Sequence, residues 1–230
     1  MNLSKRLTAV ASLITKGNSV ADIGTDHGYI PIYMAQKGYT DKAFAMDVNE
    51  GPLQRAVDNI ARYNVSDKVC TRLSDGLKGL SKGEADTIVI AGMGGLLTIR
   101  ILTDGAEVAH SAKELILSPH SDVHLVRAYL AENEYVIIDE TMVEEDGKFY
   151  FVMKVENGHM DITEDIHMLY GKHLLMQKNP TLKDYLLKEE AKRITIKEKM
   201  TSQGSTNEDR MMELDSELRV IRKALETYES

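Results

Sequence analysis

Three acidic residues follow three short apolar segments, at positions where β-strands are predicted to end. The first segment runs into Asp22-Ile-Gly24-Thr-Asp26-His27-Gly28, the second ends at Asp47, and the third ends at Ser74-Asp75-Gly76. Ligands of open α/β sheets bind outside the carboxyl ends of the strands, beside the point where the strand order reverses. Carboxylates gathered there accept hydrogen bonds from hydroxyl, amine and ammonium groups, so the spacing predicts a nucleoside-like ligand.

The turn after the first strand departs from the usual dinucleotide-binding loop. That loop has the pattern G-x-G-x-x-G, whereas Asp26 occupies the place of its middle glycine. A carboxylate there repels a pyrophosphate at the helix N-terminus but accepts a hydrogen bond from the ammonium group of a methionine moiety. The turn therefore favours an adenosylmethionine-like cofactor, although Gly24 and Gly28 are also explained by tight backbone geometry alone.

The other two acidic positions suit the remaining parts of such a cofactor. Asp47 follows Gly24 at the spacing where a carboxylate characteristically binds the ribose hydroxyls. Asp75 is placed to accept from an adenine amino group, while the amide after it donates to the ring. Each acid taken singly is typical of an ordinary strand-ending turn. Their order along the chain is what predicts the cofactor.

Short β-branched segments alternate with helical stretches from Ser19 to Asn157, which predicts a parallel α/β sheet with right-handed crossovers. The last two strand-like segments are joined by a link containing Asp146-Gly147 that is too short for a crossover helix. It predicts a hairpin and a final antiparallel strand. This arrangement is typical of the Rossmann-like sheet of class I methyltransferases. The predicted strands are Ser19–Gly24, Lys42–Asp47, Val69–Asp75, Thr87–Ala91, Glu114–Ser118, Tyr135–Asp139 and Phe149–Val155.

Strand signals end near Gly158, which predicts a cofactor-binding domain over residues 1–158 and a helical coiled-coil domain over 159–230. One helix is expected over Asp161–Lys178. A loose apolar stripe and a turn at Ser202–Thr206 predict that the next helix pairs antiparallel with the last one. The last helix has the spacing of a coiled-coil seam. The stripe is Leu186, Leu187, Ala191, Ile194 and Met200, and the seam is Met211, Leu214, Leu218, Ile221, Leu225 and Tyr228.

Composition argues against several classes of protein. No apolar run is long enough to cross a membrane and no leader follows Met1, so we expect a soluble, cytoplasmic protein. The single cysteine, Cys70, can form no internal disulfide and is expected to be a buried strand residue. The histidines show no metal-ligand spacing, so no metal site is expected.

The distribution of charge is uneven. The net charge of -8 argues against a surface that is basic throughout, as phosphate binding would require. Residues 172–199 nevertheless carry eight basic against four acidic residues, a local net of +4. This stretch is a candidate RNA contact, and its alternative is a solvated helix face.

The motifs taken together closely resemble the bacterial tRNA (adenine-N1)-methyltransferase family that acts on adenine 22. They are the run Asp22–Tyr29, Asp47, Ser74-Asp75-Gly76 and Ala91-Gly92-Met93-Gly94-Gly95, and the similarity extends into the helical tail. The resemblance implies S-adenosylmethionine as donor, tRNA as substrate, and a C-terminal domain that helps to hold the tRNA. It alone supplies the atom N1 and position 22. The expected cofactor-binding residues are Asp22, Gly24, Asp26, His27, Gly28, Asp47, Ser74, Asp75, Gly76, Ala91, Gly92 and Met93.

The segment Ala91–Gly95 follows the fourth strand, where many amino-group methyltransferases carry an Asn- or Asp-Pro-Pro-aromatic motif that this chain lacks. Small residues there let a base approach, with carbonyls near Ala91 and Gly92 as acceptors; the alternative is a Gly-rich helix start. Adenine N1 has a free lone pair and needs no general base. Asp26 is the candidate catalytic carboxylate, because it would stabilise the positive charge that develops on the base. Its alternative role is to hold the donor.

Substrate contacts are predicted near the N-terminus and in the basic stretch of the helical tail. Tyr29 is expected to stack on the flipped-out base or to pack at the helix start. His27 is a candidate to orient Asp26 or to donate to a phosphate, although a lone histidine in a loop is more often incidental. The candidate contacts to RNA phosphates are Lys5 and Arg6 on an N-terminal helix, and Lys172, Lys192 and Arg193 in the basic stretch. The oligomeric state is left open, with a monomer favoured.

Two other functions fit the same residues. A methyltransferase of another RNA or of a small molecule would share the cofactor site but would not need residues 160–230. A non-catalytic RNA-binding protein with a methyltransferase-like fold would have no need of Asp22, Asp47 and Asp75 together. A dehydrogenase is disfavoured by Asp26 and by the terminal hairpin.

Overall fold

The computed structural model describes residues 1–161, 164–202 and 207–229. The chain divides into two compact units, Met1–Asp161 and Ile162–Ser230. The first unit is a seven-stranded sheet in the order β3-β2-β1-β4-β5-β7-β6. Its strands are β1 Val20–Ile23, β2 Ala43–Asp47, β3 Val69–Leu73, β4 Thr87–Ala91, β5 Glu114–Ser118, β6 Tyr135–Glu145 and β7 Lys148–Asn157.

Helices cover both faces of this sheet, which is why its central strands are continuous apolar segments rather than alternating ones. The helices are α1 Lys5–Leu13, α2 Tyr29–Gln36, α3 Glu50–Arg62, α4 Gly95–Asp104, α5 Ala106–Ser111 and α6 Val123–Glu132, with a 3₁₀ turn at Gly76–Gly79. One buried cluster joins the sheet to α4, α5 and α6, and a second joins it to α1, α2 and α3.

The strand order reverses at β1. It pairs in parallel with β2 on one side and with β4 on the other, and β2 pairs in parallel with β3. The segments that follow these strands therefore meet at one edge of the sheet, as the sequence predicts. This edge is the usual ligand-binding position of an open α/β sheet.

The terminal hairpin is confirmed. Asp146 and Gly147 both have positive φ, 52° and 75°, as a two-residue type I′ turn requires. β7 runs antiparallel to both β6 and β5. Cys70 lies in β3 as predicted, but the prediction that it is buried is wrong. β3 is an edge strand, so one of its flanks has no neighbouring strand to cover it.

The second unit contains helices α7 Asp165–Tyr170, α8 Lys172–Met176, α9 Pro180–Ser202 and α10 Glu208–Glu226. The single helix expected over Asp161–Lys178 is wrong, because Gly171 at φ 91° separates α7 from α8; residues 162–163 lie outside the described range. Of the expected turn at Ser202–Thr206, residues 203–206 also lie outside it.

α9 and α10 pair antiparallel. Ion pairs join Glu190 to Arg222, Arg193 to Glu217, and Lys197 to Asp215, so the numbering rises along one helix as it falls along the other. The seam of α10 is buried at Leu214, Leu218 and Ile221. The stripe predicted for α9 is wrong at Leu187 and Ala191, which are exposed, while Leu182 and Leu186 are buried. Supercoiled packing of this pair stays a prediction.

Two features are absent from the described residues. No helix in this part of the chain has the length and apolar character needed to cross a membrane. No group of three or more acidic, histidine or cysteine side chains there is arranged to hold a metal ion.

Candidate active site

The turn between β1 and α2 is anchored to the neighbouring strand. The amides of Gly24 and Thr25 both donate to the carbonyl of Met46 at the end of β2, at 2.8 and 2.9 Å. Gly24 and Gly28 have φ of 76° and 69°, which residues with a Cβ rarely adopt. The Thr25 hydroxyl accepts from the amide of Gly28 at 3.1 Å and closes the turn. The glycines are therefore required by backbone geometry.

A cavity of about 270 Å³ opens beside this turn. It brings together residues of α1, β1, α2 and the segments after β4 and β5. Its lining residues are Arg6, Leu7, Asp22, Gly24, Thr25, Asp26, His27, Tyr29, Ile30, Ala91, Gly92 and His120. Leu7, Thr25, Ile30 and His120 were not predicted from sequence, since neither apolar helix residues nor an isolated histidine carries a signal of its own.

Asp22 is buried at the end of β1. Burial raises the pKa of its carboxyl from 3.8 to about 6, with the charge of Asp47 adding to the rise. The Thr25 hydroxyl and the positive charge of Arg6 oppose that rise but do not cancel it. Within the described residues no ion pair compensates this carboxylate. A cation placed in the cavity would stabilise its charged form.

Asp26 faces solvent at the rim, with 62% of its side chain exposed. Both Nε and an Nη of Arg55 donate to its Oδ1, the first at 3.0 Å, and His27 Nε2 lies 3.3 Å from its Oδ2. Arg55 lies on α3, 29 residues from Asp26 in the sequence. Sequence spacing therefore gave no indication of this ion pair. Part of the charge of Asp26 is already compensated within the protein.

His27 and Tyr29 stack on each other at the mouth of the cavity. Their ring centroids are 4.9 Å apart with an interplanar angle of 9°. Tyr29 is 36% exposed although it is a large aromatic residue. The pair presents an aromatic surface next to Asp26.

The segment after β4 forms the floor of the cavity. Gly92 has φ 94°, and its amide donates to the carbonyl of Ser118 at 3.1 Å. A Cβ at Gly24 would clash with the terminal methyl of Met93, so that methyl packs closely against the β1 turn. A Cβ at Gly95 would lie 2.6 Å from the carbonyl oxygen of Ser121. Glycine at position 95 is thus needed for close packing against the segment after β5, whatever the motif binds.

His120 follows β5 and lines the same cavity. Its ring meets the ring of Tyr150 edge-on, with centroids 5.3 Å apart. Burial lowers the pKa of the imidazole, and the positive charges of Arg6 and Lys148 lower it further. His120 is therefore neutral at physiological pH and can accept a hydrogen bond.

The second and third acidic positions lie at the same sheet edge but outside the cavity lining. Asp47 Oδ1 accepts from the amide of Asn49 at 2.7 Å, and Asp75 pairs with Lys78 at 2.6 Å, which lowers the pKa of Asp75. The hydroxyl of Ser74 accepts from Gly79 N at 2.8 Å and donates to the carbonyl of Gly76 at 2.9 Å. The hydroxyl of Ser74 thus serves the loop itself.

Two apolar side chains beside these acids were not predicted from sequence. Val48 and Leu73 are 59% and 56% exposed and are neighbours in sequence of Asp47 and Ser74. Exposed aliphatic residues beside hydrogen-bonding groups suit the face of a flat aromatic ring.

The predicted RNA contacts differ in their surroundings. Lys5, Lys172 and Lys192 are exposed. The guanidinium of Arg193 pairs with Glu189 on its own helix and with Glu217 on α10, and its role as an RNA contact stays a prediction. The basic stretch is partly neutralised by the acidic residues that α10 brings to it.

Comparison with known proteins identifies the family. A family model described as a methyltransferase domain matches residues 3–153. The tRNA (adenine(22)-N(1))-methyltransferase of Bacillus subtilis is 33% identical over 233 aligned residues, covering 98% of each chain. The chain belongs to the tRNA (adenine(22)-N(1))-methyltransferase family.

Solved structures of this methyltransferase family have the same fold. The B. subtilis m1A22 tRNA methyltransferase TrmK aligns with a TM-score of 0.86 at 33% identity, covering 97% of this chain and 99% of its own. M. capricolum TrmK, solved with the cofactor product S-adenosyl-homocysteine, aligns with a TM-score of 0.84 at 28% identity, covering 98% and 99%. The family, the Rossmann-like fold and S-adenosylmethionine as cofactor, all predicted from sequence, are confirmed.

Proposed function

We propose that this chain transfers the methyl group of S-adenosylmethionine to N1 of adenine 22 in tRNA. The observation that carries the proposal is the cavity at the end of β1, where Asp22 and Asp26 meet the glycine-lined floor at Gly92 in a member of this family. We propose the cytoplasm as the place of this activity, because the substrate is tRNA. We propose that the chain acts as a monomer, as the sequence analysis favours.

The residues at the sheet edge fit the cofactor. Asp22 is a buried carboxylate without an ion-pair partner in the described residues, and it suits the ammonium group. Asp47 would bind the ribose hydroxyls, and Asp75 with the Gly76 amide would bind the adenine. Val48 and Leu73 supply exposed apolar contacts for the purine. His27, Gly28, Ala91 and Met93 complete the proposed shell.

When bound, S-adenosylmethionine supplies an electrophilic methyl group on a sulfonium centre. The protein's part is to position the base and to stabilise positive charge, because adenine N1 attacks with a lone pair and loses no proton. Asp26 at the rim stabilises that charge more in the transition state than in the neutral substrate. His120 is neutral and therefore does not repel the positive charge that develops on the base. The main-chain carbonyls of Ala91 and Gly92 accept from the exocyclic amine.

Binding of the tRNA uses both units. The stacked rings of His27 and Tyr29 provide a surface for the exposed base. Lys5 on α1 and Lys172 and Lys192 in the second unit meet phosphates. Domain roles follow: residues 1–158 bind the cofactor and residues 159–230 help to hold the tRNA.

The test is transfer of labelled methyl from S-adenosylmethionine to tRNA from cells that lack this modification, followed by nucleoside analysis of the digest. We expect 1-methyladenosine, and a tRNA with adenine 22 replaced by guanine should take up no label. Cofactor binding without label in any tRNA would leave the donor site intact and assign the acceptor to another RNA or a small molecule.

A further inference from the structure

The guanidinium group of Arg6 is incompletely paired. Its Nη1 is buried, and no acceptor in the described residues forms a hydrogen bond with it. A buried charged donor without an acceptor is unfavourable, because it has lost its hydration without replacement. The atom lines a cavity, so a ligand that enters the cavity can supply the missing acceptor.

The position of Arg6 is fixed by its neighbours. Its guanidinium carbon lies 5.5 Å from the centre of the Tyr150 ring, a cation–π geometry. Nη1 would be 3.4 Å from a Cβ built on Gly92, and His120 would be 3.7 Å from the same point. Glycine at position 92 thus leaves open the space directly in front of the unpaired nitrogen.

The same cavity contains a carboxylate in the opposite condition. Asp22 is buried, and only the Thr25 hydroxyl and the more general attraction of Arg6 favour its charged form. A single small cavity therefore holds an incompletely paired cation and an incompletely paired anion. This charge pattern is complementary to an α-amino acid zwitterion, which carries one carboxylate and one ammonium group on the same carbon.

We infer that Arg6 binds the α-carboxylate of the methionine moiety of S-adenosylmethionine, while Asp22 binds its ammonium group. The inference rests on the proposed function. It differs from the sequence-based expectation that Arg6 contacts an RNA phosphate. A phosphate at Nη1 would be repelled by the carboxylates of Asp22 and Asp26, because it has no ammonium group to offset their charge. A buried nitrogen is also poorly placed to reach the hydrated backbone of a tRNA.

The test compares two ligands by calorimetry on the full chain: S-adenosylmethionine and its decarboxylated analogue, which lacks only the α-carboxylate. We expect wild-type protein to bind the analogue about 10- to 100-fold more weakly, the range of a hydrogen bond to a charged group. Arg6→Gln should bind both ligands with the same weakened affinity. Lys37→Gln, which removes an equal charge from the exposed far end of α2, should discriminate as the wild type does.

The outcomes separate this inference from the proposed function. Equal wild-type affinity for both ligands overturns the inference and leaves the methyltransferase standing. Unchanged discrimination in Arg6→Gln, with lowered affinity for tRNA, assigns the guanidinium to an RNA phosphate and also overturns it. If the wild type binds neither ligand, the proposed function itself fails. Should Arg6→Gln fold poorly by thermal unfolding, the wild-type ligand comparison still decides, and Arg6→Lys should recover part of the discrimination.

Discussion

The helix pair of the second unit and the cavity of the first both bring acidic and basic residues together, but they resolve the charges differently. In the helix pair, Arg193 is held by Glu189 and Glu217, and Lys197 by Asp215. In the cavity, Asp22 has no ion-pair partner in the described residues and one nitrogen of Arg6 has no acceptor there.

The difference separates residues that stabilise the fold from residues that wait for a ligand. A paired charge on a helix surface contributes modestly to stability and is complete without any partner molecule. An unpaired buried charge costs stability, so its presence is explained by the ligand that completes it. The cavity is therefore the part of the molecule where stability and function should oppose each other.

Replacing Asp22 tests this opposition most strongly. Asp22→Asn should weaken S-adenosylmethionine binding by about 30-fold or more, as expected when one partner of a buried charge pair is removed. The same variant should be more stable at neutral pH. The pKa of the folded carboxyl is raised from 3.8 to about 6, so ionisation costs the native state about 3 kcal/mol above pH 6 and nothing near pH 3. Calorimetry and urea unfolding at pH 4 and pH 8 measure both effects.

Glu140→Gln is the matched control, because Glu140 is an equally buried carboxylate that pairs with Arg127 at 2.7 Å. Breaking that pair should destabilise the protein by about 3 kcal/mol or more. Loss of stability in both variants at neutral pH would mean that Asp22 is a structural residue.

Lowering the pH should weaken S-adenosylmethionine binding, as Asp22→Asn does, because it removes the charge of Asp22. The carboxyl faces the Thr25 hydroxyl and the charges of Arg6 and Asp47, and its pKa of about 6 means that it is protonated in the free protein at pH 5. S-adenosylmethionine affinity should fall about tenfold between pH 7.5 and pH 5, because the ammonium binds the ionised form. His120 also titrates in this range. The contribution of Asp22 is therefore the part of the slope of log affinity against pH that is lost in Asp22→Asn. An unchanged slope in that variant would assign the effect to His120.

The sequence predicted the sheet and the first turn because both depend on local pattern. Apolar runs, Asp146-Gly147 and the glycines at 24 and 28 are each dictated by short-range backbone geometry. It did not predict the ion pair of Asp26 with Arg55, nor the place of His120, because each requires distant segments to meet. The ion pairs of the basic stretch were not predictable for the same reason, because the acids that pair with Arg193 and Lys197 come from another helix.

Arg193→Met tests the paired side of the comparison. It leaves Glu189 and Glu217 half-buried without their shared cation, so the free energy of unfolding should fall by about 1 kcal/mol. Urea unfolding of the full chain measures it. Glu217→Gln should lower the free energy of unfolding less in the Arg193→Met background than in the wild type, because their ion pair is already broken there. Arg6→Met should show no comparable loss, and a loss as large as that of Arg193→Met would make Arg6 a structural residue.

The smallest effect is expected at the exposed lysines. Lys172 is exposed at the start of α8 and forms no ion pair with the described residues, whereas Lys197 is held by Asp215. Lys172→Gln should weaken tRNA binding about two- to threefold and lower the slope of log affinity against log salt by about 0.7 to 0.9, the loss of one phosphate contact. Lys197→Gln should leave both unchanged. Since each variant removes one charge, an equal loss in the two would mean that net charge, rather than a free ammonium, determines the contact.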